Sequence, residues 1–188
     1  MAKIGVSSFH YAKNTKDDKT GVTYDAPVAV PKLKEISVKP SADTVTDYAD
    51  NGPSDIATSL GEITVEISLS DLTLEQQAEL LGHKLTAGVM TCNAEDVAPY
   101  VAIGFVSLKS NGKRRYVWVL KGQFQEPEDT NKTKGDKVEF QAQSLTGKFV
   151  ITDYNGDWKK TADEDATGYL PATGNGWFTA ATITNPAT

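Results

Sequence analysis

The sequence predicts a mainly β fold, a β-sandwich or partly closed barrel with one flanking α-helix, and three observations carry that prediction. "GEITVEISLSDL", Gly61 to Leu72, alternates Ile63, Val65, Ile67 and Leu69 against Glu62, Thr64, Glu66 and Ser68, the period of two of a strand with one face in a core. "YVAIGFVSLKSNGKRRYVWVLKGQFQ" is two apolar runs joined by Asn111-Gly112, a strong short-range hairpin signal. Helical periodicity is strong in one place only, "LTLEQQAELLGH", where Leu74, Ala78 and Leu81 fall at i, i+4 and i+7.

Taken in order, the first segment is the least like a core. Tyr11 to Lys32 is rich in Lys, Asp, Thr and Gly and ends in a Pro-bracketed apolar patch, Pro27 to Pro31. Residues 1–33 read as an N-terminal arm that orders against something else, or as an edge strand of the domain. The domain proper spans 34–160. It opens on a short strand, Glu35 to Lys39, and then turns polar as far as Asn51-Gly52-Pro53, a sequence that forces a turn. Residues 40–59 are therefore a long projecting loop or hairpin, and such loops usually have a task.

The helix is expected over 73–82. Thr73 with Gln76 makes a capping box, Glu75 suits the positive first turn, and Gly82 stops the helix. Beyond it, alternation puts Tyr116, Trp118 and Leu120 on one face of their strand. A long strand is expected from Lys137 to Tyr154, with Glu139, Gln141 and Gln143 alternating against Val138, Phe140 and Ala142. Gly147 marks a bulge where its inward face changes, and Asn155-Gly156 a turn toward Trp158. Residues 161–188 are small and polar, a C-terminal tail anchored by Trp177 and Phe178.

Chemistry is hard to find. His10 lies in the arm segment and His83 just past the helix, where it reads as a C-terminal cation or cap. Neither has a Ser or Cys nucleophile motif beside it, and phosphate-binding glycine loops and HExxH are absent. "DYNGDW" lacks the downstream ligands of a calcium loop and reads as a turn. Asp163, Glu164 and Asp165 read as a solvated acidic run, and "KRR", Lys113 to Arg115, as a solvated strand end or a contact to an acidic neighbour. Glu62 and Glu66 make a poor catalytic pair, being on one strand with no sugar-stacking aromatic between them. No enzyme, cofactor or metal site is expected.

The 188 residues suffice for one core with appended segments, and the formal net charge of −6 argues against binding phosphates or anionic lipid. Cys92 is the single cysteine, so no intrachain disulfide forms, a zinc cluster cannot be built from cysteine alone, and synthesis in a reducing cytoplasm is expected. The N-terminus has no apolar signal run, and no stretch of about 18 apolar residues predicts a membrane span. A β-domain with a segment before it, a long loop and a tail is built for assembly.

The run from Lys34 to Trp158 resembles the major tail protein family of long-tailed, non-contractile bacteriophages of Gram-positive hosts. The motifs that carry the likeness are "YADNGP", "ATSLGEIT", "LLGH", "APYVAIGF", "SNGKRRYVW", "KGQFQEPE" and "KTKGDKVEFQ". The resemblance implies a tail-tube protein, a β-sandwich with a flanking helix, forming hexameric rings that stack into a hollow tube for genome passage. It implies no catalytic residue, cofactor or metal. Its partners would be further copies of itself, a tape measure protein, and tail terminator and distal tail proteins. Double-stranded DNA would pass without tight binding, and no membrane is involved. The protein would be made in the host cytoplasm and reside in the virion tail. The arm and the loop would reach adjacent subunits, the loop through Asp43, Thr46, Asp47, Tyr48, Asp50 and Asn51.

If the strand at Glu62 lines such a tube, Glu62, Thr64, Glu66 and Ser68, with Glu139, Gln141 and Gln143 as a second polar face, look into the lumen. An acidic or neutral wall lets DNA slide where a basic one holds it. An ordinary outer face explains the same alternation. The other functional readings are a related ring-forming component of a secretion or contractile system, and a carbohydrate-binding β-sandwich module of a phage, for which Trp158 and Trp177 are the candidate platform.

Overall fold

The computed structural model describes residues 2–49, 52–129 and 142–184. The fold is mainly β. Eleven strands run in chain order: β1 (Lys3–Asp18), β2 (Gly21–Tyr24), β3 (Val28–Val30), β4 (Leu33–Ala49), β5 (Gly52–Leu69), β6 (Lys84–Thr86), β7 (Val89–Thr91), β8 (Val101–Lys109), β9 (Arg114–Phe124), β10 (Gln143–Val150) and β11 (Lys159–Asp163). Helix α1 (Leu74–Leu81) lies between β5 and β6, and two short helices, α2 (Pro171–Asn175) and α3 (Ala180–Ile183), follow β11.

Nine strands form one antiparallel sheet in the order β2-β1-β8-β9-β10-β5-β4, with β3 on β1 and β11 on β9. This path shows no closing ladder among the described residues, and the arrangement is mainly β and sandwich-like. It brings Phe9 and Tyr11 of β1 and Val30 of β3 into one core with Ile63, Val65, Ile67 and Leu69 of β5, Leu145 and Phe149 of β10, and Leu80 and Leu81 of α1. A second core, on the other face of β8 and β9, gathers Ala102, Val106, Tyr116, Trp118 and Leu120 against Trp177 and Ile183. Tyr116, Trp118 and Leu120 thus share the face their alternation predicts.

The N-terminal segment is where the structure departs most from a free arm. β1 lies inside the sheet, with β8 along one edge and β2 and β3 along the other. A register shift between Ser7 and His10, where Ser8 takes φ 55°, re-phases the strand so that Phe9 and Tyr11 enter one core and Ala12 the other. Sequence composition hid this because in β1 only Phe9, Tyr11 and Ala12 are buried, scattered among Lys, Asp and Thr.

Helix α1 follows its sequence signals closely. Thr73 accepts from the Gln76 N–H, the Gln76 side chain accepts from the Thr73 N–H, and Gly82 takes φ 78° while its N–H reaches the Ala78 carbonyl. A side chain at Gly82 would strike the Val97 carbonyl, so glycine is needed there for space as well as for conformation. Its buried residues are Ala78, Leu80 and Leu81, whereas Leu74 stays 45% exposed.

One further reading needs correction. β10 pairs with β5 from Gln143↔Leu69 to Phe149↔Ile63 with no register shift, so Gly147 is not a bulge. Its Cβ would stand 3.0 Å from both Phe124 and Phe149, and glycine is there for ring packing. The tail, 161–188, is docked as far as it is described: β11 pairs with Arg115 to Val119 of β9, and Trp118 donates its indole N–H to the Trp177 carbonyl at 2.9 Å.

Candidate assembly surface and polar face

β4 and β5 form one long hairpin that behaves as two different objects along its length. In the inner half, Leu33 to Pro40 pairs with Ile63 to Leu69, and alternation sends Ile63, Val65, Ile67 and Leu69 into the core. In the outer half, Ala42↔Leu60 to Ala49↔Gly52, the ladder continues but the domain beneath it has ended. Val45 is 69% exposed and Ile56 63%, and among the described side chains neither face of the ribbon is covered. Thus the projecting element predicted at 40–59 is a hairpin. Asp43 and Thr46 pair with Ser59 and Ile56; Asp47 and Tyr48 pair with Asp55 and Pro53 near the tip, and Asp50 and Asn51 lie outside the described residues.

The polar face of the inner half is assembled by register. Antiparallel partners share a face, so Glu62, Thr64, Glu66 and Ser68 of β5 are flanked by Glu35, Ser37 and Lys39 of β4 and by Ser144, Thr146 and Lys148 of β10. Lys148 donates to Glu62 at 2.6 Å and to Thr64 at 2.9 Å, and Lys39 donates to Glu66 at 2.6 Å. Glu62 and Glu66 are therefore each neutralised by a lysine, and with Glu35 the face carries three carboxylates against two lysines, close to balance where the single strand read as acidic. These pairs are half exposed, worth about 0–1 kcal/mol each. Reading β5 alone missed both lysines; alternation within "EISVK" and "LTGKF", laid antiparallel beside it, would have found them.

Gln143 does not belong to this face. It pairs with Leu69 and stands in register with Leu145, so it falls on the opposite side from Glu66 and Ser68. In the sequence the apolar positions are even-numbered from Val138 to Ala142 and odd-numbered from Leu145 onward. Glu139 and Gln141 lie outside the described residues.

Other polar clusters stand elsewhere. Asp163 and Asp165 are not a solvated run: both accept from Lys109, Asp165 at 2.8 Å, and Asp163 also accepts from Arg115 Nε at 2.8 Å. The Lys109 ammonium holds the Asp163 carboxyl well below the usual carboxylate range. Lys121 bridges Asp17 and Asp153 at 2.7 Å each, tying β1 to the turn after β10. His83, only 5% exposed in its side chain, sits between Asp96 at Nδ1 (2.9 Å) and Glu126 at Nε2 (2.8 Å), and the bond to Asp96 raises its pKa. His10 stacks on Phe178 with ring centroids 3.9 Å apart, and burial lowers its pKa.

Among the described residues the tryptophans make no sugar platform: Trp177 is buried and Trp158 packs partly into the first core. No described helix is long and apolar enough to cross a membrane. Comparison with protein-family models and with curated proteins gives no match, so no function is inherited from a relative.

Proposed function

We propose that this protein is a tail-tube subunit, self-assembling into stacked hexameric rings whose hollow interior conducts a phage genome. The observation that carries the reading is the outer half of the β4–β5 hairpin. A two-stranded ribbon alone in water is marginal at best, and this one also holds Val45, Ile56 and Leu60 in solvent. A neighbouring copy that covers it supplies what the domain lacks. The motif resemblance over 34–158 points to the same kind of assembly and names the remaining partners, a tape measure protein and the proteins that begin and end the tail.

In this reading the Glu62 to Ser68 face lines the lumen. Its slight acidic excess suits DNA transit, because paired lysines offer phosphates little free positive charge. A tube of a secretion or contractile system would share this chemistry and is separated from a phage tail by genomic neighbourhood.

The test is negative-stain electron microscopy with sedimentation at rising concentration, on the natural chain and on one in which residues 43–59 are replaced by an Asn-Gly turn. Rings or tubes from the first and a folded monomer from the second support the reading. Equal polymerisation of both, or tubes from neither even with a tail-tip initiator present, overturns it.

A further inference from the structure

The structure brings together three donors that the sequence holds far apart: His83 after α1, Cys92 after β7 and Glu126 after β9. The His83 imidazole nitrogen, the Cys92 Sγ and a Glu126 carboxylate oxygen all lie within 4.8 Å of one another. Tetrahedral zinc, with bonds of about 2.0–2.1 Å to N and O and 2.3 Å to S, sets its donors roughly 3.3–3.6 Å apart. We propose that these residues form a binding site for a divalent transition metal of the zinc type, independent of the tube reading.

Four features beyond proximity support it. His83 is already oriented, since Nδ1 faces Asp96, itself held by the Asn93 N–H at 2.9 Å, and this leaves Nε2 directed at Glu126. A carboxylate on one imidazole nitrogen and a metal on the other is the usual outer arrangement of histidine-zinc sites. Glu126 Oε2 lies 2.8 Å from Nε2, and its side chain is 60% exposed, so widening that gap by about half an ångström to admit the ion needs only a rotamer adjustment. Neutral imidazole, thiolate and carboxylate together balance a charge of +2. Finally, Cys92 and Glu126 open on a cleft of about 610 Å³ that Asp71, Glu128 and Asp129 also line, with no Lys or Arg among its described lining residues.

The thiol and imidazole donors select a zinc-like ion over magnesium or calcium. On binding, the Cys92 thiol proton and any proton on Nε2 pass to solvent, and the fourth position takes a water from the cleft. The ion would pin the β6–β7 hairpin, which forms a two-stranded sheet of its own, to the end of α1 and to the chain leaving β9. Such a hairpin is barely stable alone.

The test uses the full chain, titrated with cobalt(II) and read by absorbance, and dialysed against zinc with metal content measured afterwards. One equivalent of metal and a thiolate-to-cobalt charge-transfer band are expected. Cys92→Ser, at an exposed position, should lose the band and the bound zinc while its circular dichroism in chelator matches the natural chain. Asp96→Asn should weaken binding by about 10–100-fold. No thiolate band, or zinc retained equally by Cys92→Ser and Glu126→Ala, overturns the site.

Discussion

The molecule contains two long hairpins with the same ladder chemistry and opposite fates. In β8–β9 both faces are covered: Ile103 and Val119 enter the core beneath α1, while Tyr116, Trp118 and Leu120 enter the one sealed by Trp177 and Ile183. In β4–β5 one face of the inner half is covered and neither face of the outer half is. Main-chain hydrogen bonds are made along both, so they do not distinguish the two. What differs is the apolar area removed from water, at about 25 cal/mol per Å². The first hairpin is completed within its own domain; the outer half of the second is left uncovered by it.

The comparison breaks most visibly at Trp118. Its ring is fully buried, a Cβ on Gly104 would press on it at 2.8 Å, and its N–H is paired. Trp118→Ala should cost about 3–5 kcal/mol in urea unfolding, a large share of the roughly 5–15 kcal/mol a domain has. Gly122→Ala comes next, because the new methyl would collide with the Phe149 ring; a loss of about 1–3 kcal/mol is expected, read as a shifted midpoint at unchanged slope.

A third test uses acid. The Asp163 carboxyl is held below its ordinary 3.8 by Lys109, so its contribution is fully present above that value and lost as pH falls toward the depressed one. Asp163→Asn should therefore lower stability at neutral pH and flatten the decline between about pH 5 and pH 2. The smallest effect on the monomer belongs to Val45→Asp with Ile56→Asp, which should change its stability by no more than about 0.5 kcal/mol, since both side chains already stand in water. The same double change should abolish tubes. A large loss of monomer stability would mean that the outer ribbon is covered within its own chain, and the contrast between the hairpins would fall.

A related change probes the polar face. Glu62→Lys with Glu66→Lys would turn two ion pairs into a cluster of lysines with Lys148 and Lys39. Tubes should still form, with DNA ejection slowed and restored by added salt. Unaltered ejection would move this face to the outside of the assembly.

Local rules determined much of this protein. The capping box and Gly82 bounded α1, Asn111-Gly112 turned β8 into β9, and alternation assigned faces in β5 and β9, because each depends on neighbours within a few residues. Three matters were decided only by tertiary structure. Whether the segment at β1 was an arm or a strand turned on three side chains meeting partners from β3, β5 and β8. The charge of the Glu62 face depended on lysines about 25 and 85 positions away, brought beside it by antiparallel register. The meeting of His83, Cys92 and Glu126 needed the ends of a helix and two strands to converge. Periodicity reports which side of an element is apolar; which atoms face it is fixed by the path of the chain through space, and that is a property of the whole fold.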